Sequence, residues 1–568
     1  MKKLLVMLLF WAVSLATFSA SPVVAERREI VFPSRFNEVA SQPGGLGFAH
    51  GMRVGVAFAN SVEGYSAGSL FSFLLPEGRV VDELDLVPDF GEGQSLANIP
   101  ILALNVHEAT GLIIVYGRDS NFGQKLLAVS SDDGGHLRRL WVRTFSLTRL
   151  FPGGGSAVDF SIDGSRIYFI YFGSAPQPAA DNGNPNVVPT RSRWGAQAVD
   201  SWRSQNRREA TDAVTNVSFG QRVALLRTED GATLSSIDVP DAAREMSVFF
   251  DGAHGRAVAL SGTSAYVFAS GTESLQLETR IQPGPEVSFA FGQGLTADGR
   301  FLLAYGNYED QPDGTLSNIY ISYDLGTKTV HRSSVGGGEL FAVLNNLTLH
   351  RPTGMLLVPL QVRFGDDGEG TTVLQIGGFR RAEVISVEGD GSMSRAAEVK
   401  IPKRSPGASR KNFMSGNNNI AVSSSGALGF VSSARGRLFA FDTATGDIVN
   451  DELVDPDRMF YIQLLEPLGK MVFSNGAKLI LVDTITGPLV ADVEIDKKRT
   501  IVKGANFLSG ARIELNGTDL GLANRNPDNP GHEVILDRGK KDFPIGEEFT
   551  VVVVNRDGLR STPLTFSR

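Results

Sequence analysis

The chain has 568 residues, of which 42% are hydrophobic and 20% are charged, a composition typical of a folded globular protein rather than a disordered one. Its formal net charge of −8 argues against a nucleic-acid-binding role, because binding phosphates needs a basic surface. The absence of cysteine excludes disulfide bonds, thiolate metal sites, a cysteine nucleophile and lipid attachment at an N-terminal cysteine.

The N-terminus predicts an export signal. Two lysines precede the apolar stretch Leu4 to Phe18, which is shorter than the roughly 20 residues that a membrane-spanning helix needs. Small residues at Val23 and Ala25 predict cleavage after Ala25, so residues 1–25 are interpreted as a signal peptide, with an uncleaved signal anchor as the alternative. We therefore expect an extracellular or periplasmic protein with no membrane span after cleavage.

After the signal, short apolar runs alternate with turns rich in Gly, Pro and Asp-Gly, which predicts β-strands joined as hairpins. No stretch has the 3.6-residue periodicity of an amphipathic helix. The strands group into about eight units. The earlier and weaker units contain the runs Arg53–Asn60, Leu112–Tyr116, Arg166–Phe172, Ala257–Leu260, Phe301–Tyr305 and Met355–Val362.

The strand pattern stops at residues 173–213, where four prolines and five arginines predict an inserted loop. Arginine and tryptophan side chains in this insert can bind an acidic or sugar partner through bidentate contacts and stacking, and a solvated loop is the alternative. The candidate ligand contacts are Arg191, Arg193, Trp194, Trp202 and Arg203.

The clearest repeat consists of Gly426–Val449 and Gly469–Val490. Each segment has an apolar strand, a Gly turn, a second apolar strand and then Asp-Thr-x-Thr-Gly before a last short strand. The aspartates Asp442 and Asp483 lie 41 residues apart, within the period of about 40–45 residues of a four-stranded propeller blade. The sequence therefore predicts a β-propeller.

These Asp-x-x-Thr-Gly motifs, together with the Asp-Gly turns at Asp163 and Asp298, resemble the YVTN-type and lactonase-like β-propellers of secreted bacterial proteins. Such propellers commonly have seven blades, whereas the units here number about eight. Either one unit is split between the two ends of the propeller, or the ring has eight blades. The resemblance also implies that an enzyme of this type would gather His, Glu and Arg at the central channel.

The last residues, 496–568, have a different pattern. Gly504-Ala-Asn-Phe, Gly510-Ala-Arg-Ile and a final Val-Val-Val-Val-Asn-Arg-Asp-Gly resemble an IPT/TIG immunoglobulin-like domain. The usual Pro-x-x-Gly opening is absent, so we expect the first strand to be shortened or shared with the linker. Domains of this kind are generally non-catalytic, so the resemblance implies binding or spacing.

The sequence contains no convincing catalytic or cofactor motif. The seven histidines lack the spacing of a preformed metal site, and no Gly-x-Ser-x-Gly nucleophile elbow is present. The loops Asp181–Asn186 and Gly365–Gly370 are rich in oxygen ligands, which suits either calcium or plain turns, and neither has full EF-hand spacing. We assign no catalytic, cofactor-binding or metal residue.

These observations predict an all-β protein with a seven- or eight-bladed β-propeller over residues 26–495 and an immunoglobulin-like β-sandwich over residues 496–568. We expect an exported, monomeric, non-catalytic binding or scaffolding protein, whose propeller-face loops contact a protein or glycan of the cell exterior. The alternative is a lactonase-like hydrolase with a composite site at the central channel. An apolar, plugged channel would argue against that alternative.

Overall fold

The computed structural model describes most of the chain after the N-terminal segment. The described residues are 27–32, 36–39, 45–61, 68–91, 101–119, 123–147, 157–172, 221–239, 246–284, 287–309, 316–334, 341–342, 348–352, 355–361, 381–402, 420–433, 436–455, 461–475 and 478–568. The predicted signal peptide, the insert at 173–213 and both oxygen-rich loops lie outside these residues.

The first half of the chain forms four antiparallel sheets in chain order. The four-residue helix α1 (Val87–Phe90) follows the last strand of the first sheet. Strand β1 (Arg27–Val31) precedes these sheets in the chain. Their strands are β2 (Phe36–Val39), β3 (Leu46–Ala49), β4 (Val54–Ser61), β5 (Ser69–Leu74) and β6 (Arg79–Asp85) in blade 1; β7 (Ile101–His107), β8 (Leu112–Arg118), β9 (Gly123–Ser131) and β10 (Leu137–Leu147) in blade 2; β11 (Val158–Phe160), β12 (Arg166–Phe172), β13 (Gln221–Arg227) and β14 (Thr233–Val239) in blade 3; and β15 (Met246–Asp251), β16 (Arg256–Ser261), β17 (Ser264–Ser270) and β18 (Leu275–Ile281) in blade 4.

Four further sheets follow. Their strands are β19 (Val287–Leu295), β20 (Phe301–Glu309), β21 (Leu316–Asp324) and β22 (Thr329–Ser334) in blade 5; β23 (Phe341–Ala342), β24 (Thr348–His350), β25 (Met355–Gln361), β26 (Arg381–Val387) and β27 (Met393–Lys400) in blade 6; β28 (Ile420–Val422), β29 (Leu428–Ser432), β30 (Arg437–Asp442) and β31 (Ile448–Leu453) in blade 7; and β32 (Tyr461–Leu465), β33 (Lys470–Ser474) and β34 (Lys478–Asp483) in blade 8.

The eight sheets close into a ring, so the protein contains an eight-bladed β-propeller. From blade 1 to blade 8, the first strand of each sheet lies against the first strand of the next, which places these strands around a central channel. The fourth strand of blade 8 is β1, which pairs antiparallel with β34. Blade 8 in turn packs on blade 1 through one apolar cluster that includes Ile30, Phe71 and Leu481. The ring therefore has eight blades, and one of them is shared between the two ends of the propeller.

Second strands of the blades are deeply buried where the structure describes their side chains, and two of their sequences show why. Strands β12 and β16 are apolar and buried along almost their whole length, because a neighbouring blade covers each face. Outer strands such as β18 are buried only at their ends, here Leu275 and Ile281, because the rest of the strand meets solvent. Each blade is thus stabilised mainly by its two neighbours, as expected for a repeat protein.

The C-terminal domain is a sandwich of two four-stranded antiparallel sheets. A core that includes Val502, Phe507, Ile513 and Val553 fills the space between them. The first sheet has the order β35–β36–β40–β39 and the second β38–β37–β41–β42, with strands β35 (Leu489–Ile495), β36 (Thr500–Ala505), β37 (Arg512–Leu515), β38 (Thr518–Leu522), β39 (Asn524–Arg525), β40 (Glu533–Leu536), β41 (Glu548–Val554) and β42 (Leu564–Ser567).

The last strand before the predicted domain boundary, after residue 495, pairs within the sandwich. Strand β35 pairs with β36 in the sandwich and not with β34 in the propeller. The Gly469–Val490 repeat therefore lacks its expected last strand, whose place in the sheet is taken by β1. Local sequence could not reveal the exchange, because nothing in either segment specifies which strand it pairs with.

Within the described residues, no helix combines the length and apolar character needed to cross a membrane.

The ring-closing strand gives a direct test, because two neighbouring residues of β1 differ in burial. Ile30 is 1% exposed, whereas Val31 is 66% exposed. We expect Ile30→Ala to lower the free energy of unfolding by about 3 kcal/mol, because it leaves a cavity at the seam. The matched control Val31→Ala should change it by less than about 0.5 kcal/mol. Urea denaturation followed by tryptophan fluorescence measures both, and equal effects of the two changes would contradict this account of closure.

Candidate functional site

One residue in the first strand of each blade occupies an equivalent position beside the channel. In every blade this residue pairs with the third residue of the second strand. In blade order the residues are Gly47, Asn105, Asp159, Phe249, Gly294, Thr348, Ala421 and Gln463. Amide and carboxyl side chains stand in blades 8, 2 and 3, on either side of the glycine of blade 1. Blades 4, 5 and 7 have no hydrogen-bonding side chain at this position, so one side of the ring is more polar than the other.

A cavity of about 360 Å³ lies on this polar side, between the first strands of blades 1, 2, 3 and 8. Its size falls within the range of small-molecule binding sites. Gly47 forms part of its wall, and a β-carbon there would lie only 2.4 Å from Cγ2 of Val106. The polar side chains of the lining are Asn105, Glu108, Asp159 and Gln463, and the main apolar ones are Leu46, Phe48, Met52 and Phe160.

Asp159 is fixed between blades 3 and 4. Its Oδ2 accepts a hydrogen bond of 2.6 Å from the backbone N–H of Phe250, and its Oδ1 accepts one of 2.8 Å from its neighbour Phe160. Burial raises the pKa of this carboxyl, although the two N–H groups and the charges of Arg351 and His107 oppose the change. Asp159 therefore links two blades and gives the cavity a carboxyl group that accepts a proton more readily than an exposed aspartate does.

Asn105 has the equivalent role between blades 2 and 3, because its Nδ2 donates to the carbonyl oxygen of Val158. Asn105 and Asp159 thus occupy the equivalent position in their two blades. Each forms a hydrogen bond with the backbone of the next blade, and each lines the cavity. Glu108 follows β7 and is exposed at the rim, whereas Gln463 is half-buried on the blade 8 side. The cavity wall is held rigidly by backbone contacts, as a preorganised binding site requires.

The described histidines with hydrogen bonds hold turns or strand ends rather than a reaction centre. His107 links two blades, since Nδ1 contacts Oγ1 of Thr110 at 2.9 Å and Nε2 lies 3.0 Å from the carbonyl oxygen of Ile162. The other such contacts are His50 with Ser131 and Asp133, His254 with Asp251, and His532 with Gly504. In the part of the chain that the structure describes, no three His, Asp or Glu residues are grouped so that they could hold a metal ion.

The structure does not describe the ligand contacts predicted from the sequence. Arg191, Arg193, Trp194, Trp202 and Arg203 all lie outside the described residues, as do the two oxygen-rich loops considered for calcium. Sequence reasoning did not single out Asn105, Asp159 or Gln463. Their shared position beside the channel can be recognised only when the first strands of all blades are aligned in register.

A second polar cluster joins the sandwich to blade 7, and its centre is Asp442 of the Asp-Thr-x-Thr-Gly repeat. The Asp442 side chain is 0% exposed. Its carboxylate accepts hydrogen bonds from its own turn, at the N–H of Ala444 (2.9 Å), and from the sandwich, at the N–H of Ser509 (2.5 Å) and Nη1 of Arg556 (2.5 Å). Arg525 of the sandwich lies 3.5 Å away. The motif predicted to hold a hairpin thus also binds the second domain.

Comparison with other blades shows why this aspartate binds the sandwich. The equivalent aspartates of blades 5 and 8 are neutralised within their own blade, Asp324 by Arg300 and Asp483 by Lys470. In blade 7 the corresponding positions carry Ala427 and Leu428, which have no charge. Blade 7 therefore has no cation at either position, and the sandwich supplies two.

Apolar packing and backbone bonds complete this joint. Leu508 of the sandwich belongs to the apolar cluster of blades 7 and 8. Arg556 also donates to the carbonyl oxygen of Ala427 at 2.9 Å. A β-carbon at Gly531 would lie 2.2 Å from Cα of Val449, so only glycine allows the two backbones to come this close. Burial acts to raise the pKa of Asp442, but the Ser509 hydrogen bonds and the Arg556 charge outweigh it and hold the pKa below its usual range.

No protein-family model matches the chain, and no curated protein matches it. Among solved structures, it is similar to the computationally designed Ika8 protein, with 11% sequence identity, a TM-score of 0.43 and coverage of 81% of this chain and 100% of that chain. It is also similar to the Cps50 (Swd1) β-propeller domain of Myceliophteria thermophila, with 10% identity, a TM-score of 0.38 and coverage of 82% and 99%. The sheet topology itself carries the fold assignment.

The joint gives a second test. We expect Asp442→Asn to lower the free energy of unfolding by about 3 kcal/mol, because it leaves two arginines facing an uncharged buried group. The control Asp496→Asn, in an exposed pair at 3.8 Å from Arg499, should change it by less than about 0.5 kcal/mol.

The difference between wild type and Asp442→Asn should also depend on pH. Because the folded pKa of Asp442 is below its unfolded value, its stabilisation is fully present above about pH 4 and is lost as pH falls through the folded pKa. The difference in unfolding free energy between the two proteins, measured from denaturation curves, should therefore be constant from neutral pH to about pH 4 and shrink as the pH falls further. A difference that is constant with pH would show that Asp442 does not act through its charge.

Proposed function

We propose that this chain is an exported, non-catalytic binding protein of the bacterial envelope or exterior, in which the channel cavity and the loops around it contact the ligand. The observation that carries the proposal is the cavity between blades 8, 1, 2 and 3, with amide and carboxyl side chains on one side of an otherwise less polar ring. Loops positioned by a rigid scaffold are a common basis for binding.

The family assignments belong to the same proposal. We infer a YVTN/lactonase-like propeller from the Asp-Thr-x-Thr-Gly repeats at Asp442 and Asp483, and an IPT/TIG-type sandwich from the motifs within residues 504–558. Export is inferred from residues 1–25. The joint at Asp442 supports a scaffolding role for the sandwich, because a buried charge network fixes its orientation on the propeller. We expect a monomer.

A lactonase-like hydrolase is the second candidate, and one observation favours it. Asp159 is a half-buried carboxyl with a raised pKa beside a cavity, which is the usual setting of a general acid. The binding role is favoured over it because the described histidines with hydrogen bonds serve turns and strand ends.

The test is ligand-detected NMR of the signal-free chain against a mixture of small fragments. We expect fragments that bind wild type to be lost in Gln463→Trp, because the indole fills the cavity. The control Gln276→Trp, on an exposed outer strand of blade 4, should keep them. Equal binding by both variants would place the ligand elsewhere. Turnover of a lactone panel that disappears in Asp159→Asn would instead support the hydrolase.

A further inference from the structure

The channel cavity combines groups that indicate the chemistry of its ligand. This inference rests on the proposed binding role of that cavity. Its polar side chains are two carboxyls and two carboxamides, all of them planar groups with two polar atoms each, namely Asn105, Glu108, Asp159 and Gln463. Such groups can contact adjacent hydroxyls of one molecule in pairs, because each can present two hydrogen-bonding atoms in one plane.

The charges in and around the cavity do not favour a cationic ligand, although two of its residues are acidic. Asp159 already accepts two backbone N–H bonds and lies within the field of Arg351. A ligand cation would therefore meet a carboxyl whose charge is partly compensated. Glu108 is exposed at the rim, where solvent screens its charge. An anion is also disfavoured, because no Lys, Arg or His is among the lining residues described for the cavity.

The apolar part of the wall is compatible with a neutral polar molecule that has a carbon face. Phe48 and Phe160 contribute aromatic rings and Met52 a flexible thioether. Aromatic rings pack well on the C–H face of a ring that presents its hydroxyls at the edge, and methionine adapts to irregular shapes. The volume of about 360 Å³ accommodates a molecule of this size.

We propose that the cavity between blades 8, 1, 2 and 3 binds a neutral, hydroxyl-rich small molecule, a monosaccharide or cyclic polyol, with Asn105, Asp159 and Gln463 contacting its hydroxyls. Asn105 and Asp159 also bond the next blade, so their positions are set before the ligand arrives. Gln463 completes the site from the opposite side of Gly47.

The experiment titrates the signal-free chain by calorimetry with D-glucose, N-acetylglucosamine and myo-inositol, and separately with choline as a cation of similar size. We expect at least one of the three hydroxylated probes to bind and choline not to bind. Gln463→Leu removes the amide at nearly constant volume and should lower the affinity for the probe that binds by about 10-fold. Gln276→Leu, on the exposed outer strand of blade 4, should leave its affinity unchanged.

Glu108→Gln separates the two ligand classes. It removes a charge but keeps a planar hydrogen-bonding group. The affinity for a neutral probe should therefore change by less than about 3-fold, whereas the affinity for a cation would fall by more. Binding of choline alone overturns the assignment of ligand class and leaves the proposed binding function standing. If none of the three hydroxylated probes binds up to its solubility limit, the assignment is also overturned. The fragment experiment then decides separately whether the cavity binds anything.

Discussion

The buried carboxylate of Asp442 is the interaction on which the arrangement of the two domains depends. A charge without solvent must be matched by charge or hydrogen bonds, and here the matching groups come from another domain. Blades 5 and 8 show that the propeller fold itself does not need this arrangement, since Asp324 and Asp483 are satisfied locally. Separating the sandwich would remove the Ser509 and Arg556 contacts of this carboxylate, so the C-terminal domain is a structural part of the propeller rather than an independent appendage.

The two domains also depend on each other through an exchange of strands. The segment after blade 8 leaves the ring to become β35 of the sandwich, and β1 takes the vacant edge of β34. This edge would otherwise present unpaired backbone groups. Charged contacts fix the register of the incoming strand: Arg27 binds the buried Asp455 at 2.6 Å, and Glu29 binds Lys478 at 2.6 Å. Closure of the ring and formation of the sandwich are therefore parts of one topology.

The sequence predicts the blades because their signals are local. Asp-Gly turns, apolar runs and the 41-residue repeat lie within single units, and the structure confirms a propeller and a sandwich. The exchange of β1 and β35 is not predictable in this way, because nothing near Ile30 specifies a partner more than four hundred residues away. The cavity is equally hidden. Asn105, Asp159 and Gln463 lie in different repeats, and only the register of eight strands brings them to one side of the channel.

The ring-closing strand has a consequence for how this chain is made. Glu29 and Lys478 are 449 residues apart, so β1 leaves the ribosome long before the strand with which it pairs. Contacts between such distant segments slow folding because a long loop must close first. Until then Ile30 and the unpaired backbone of β1 remain available for wrong pairing with other chains. The growing chain is thus exposed to wrong pairing until blade 8 has been synthesised.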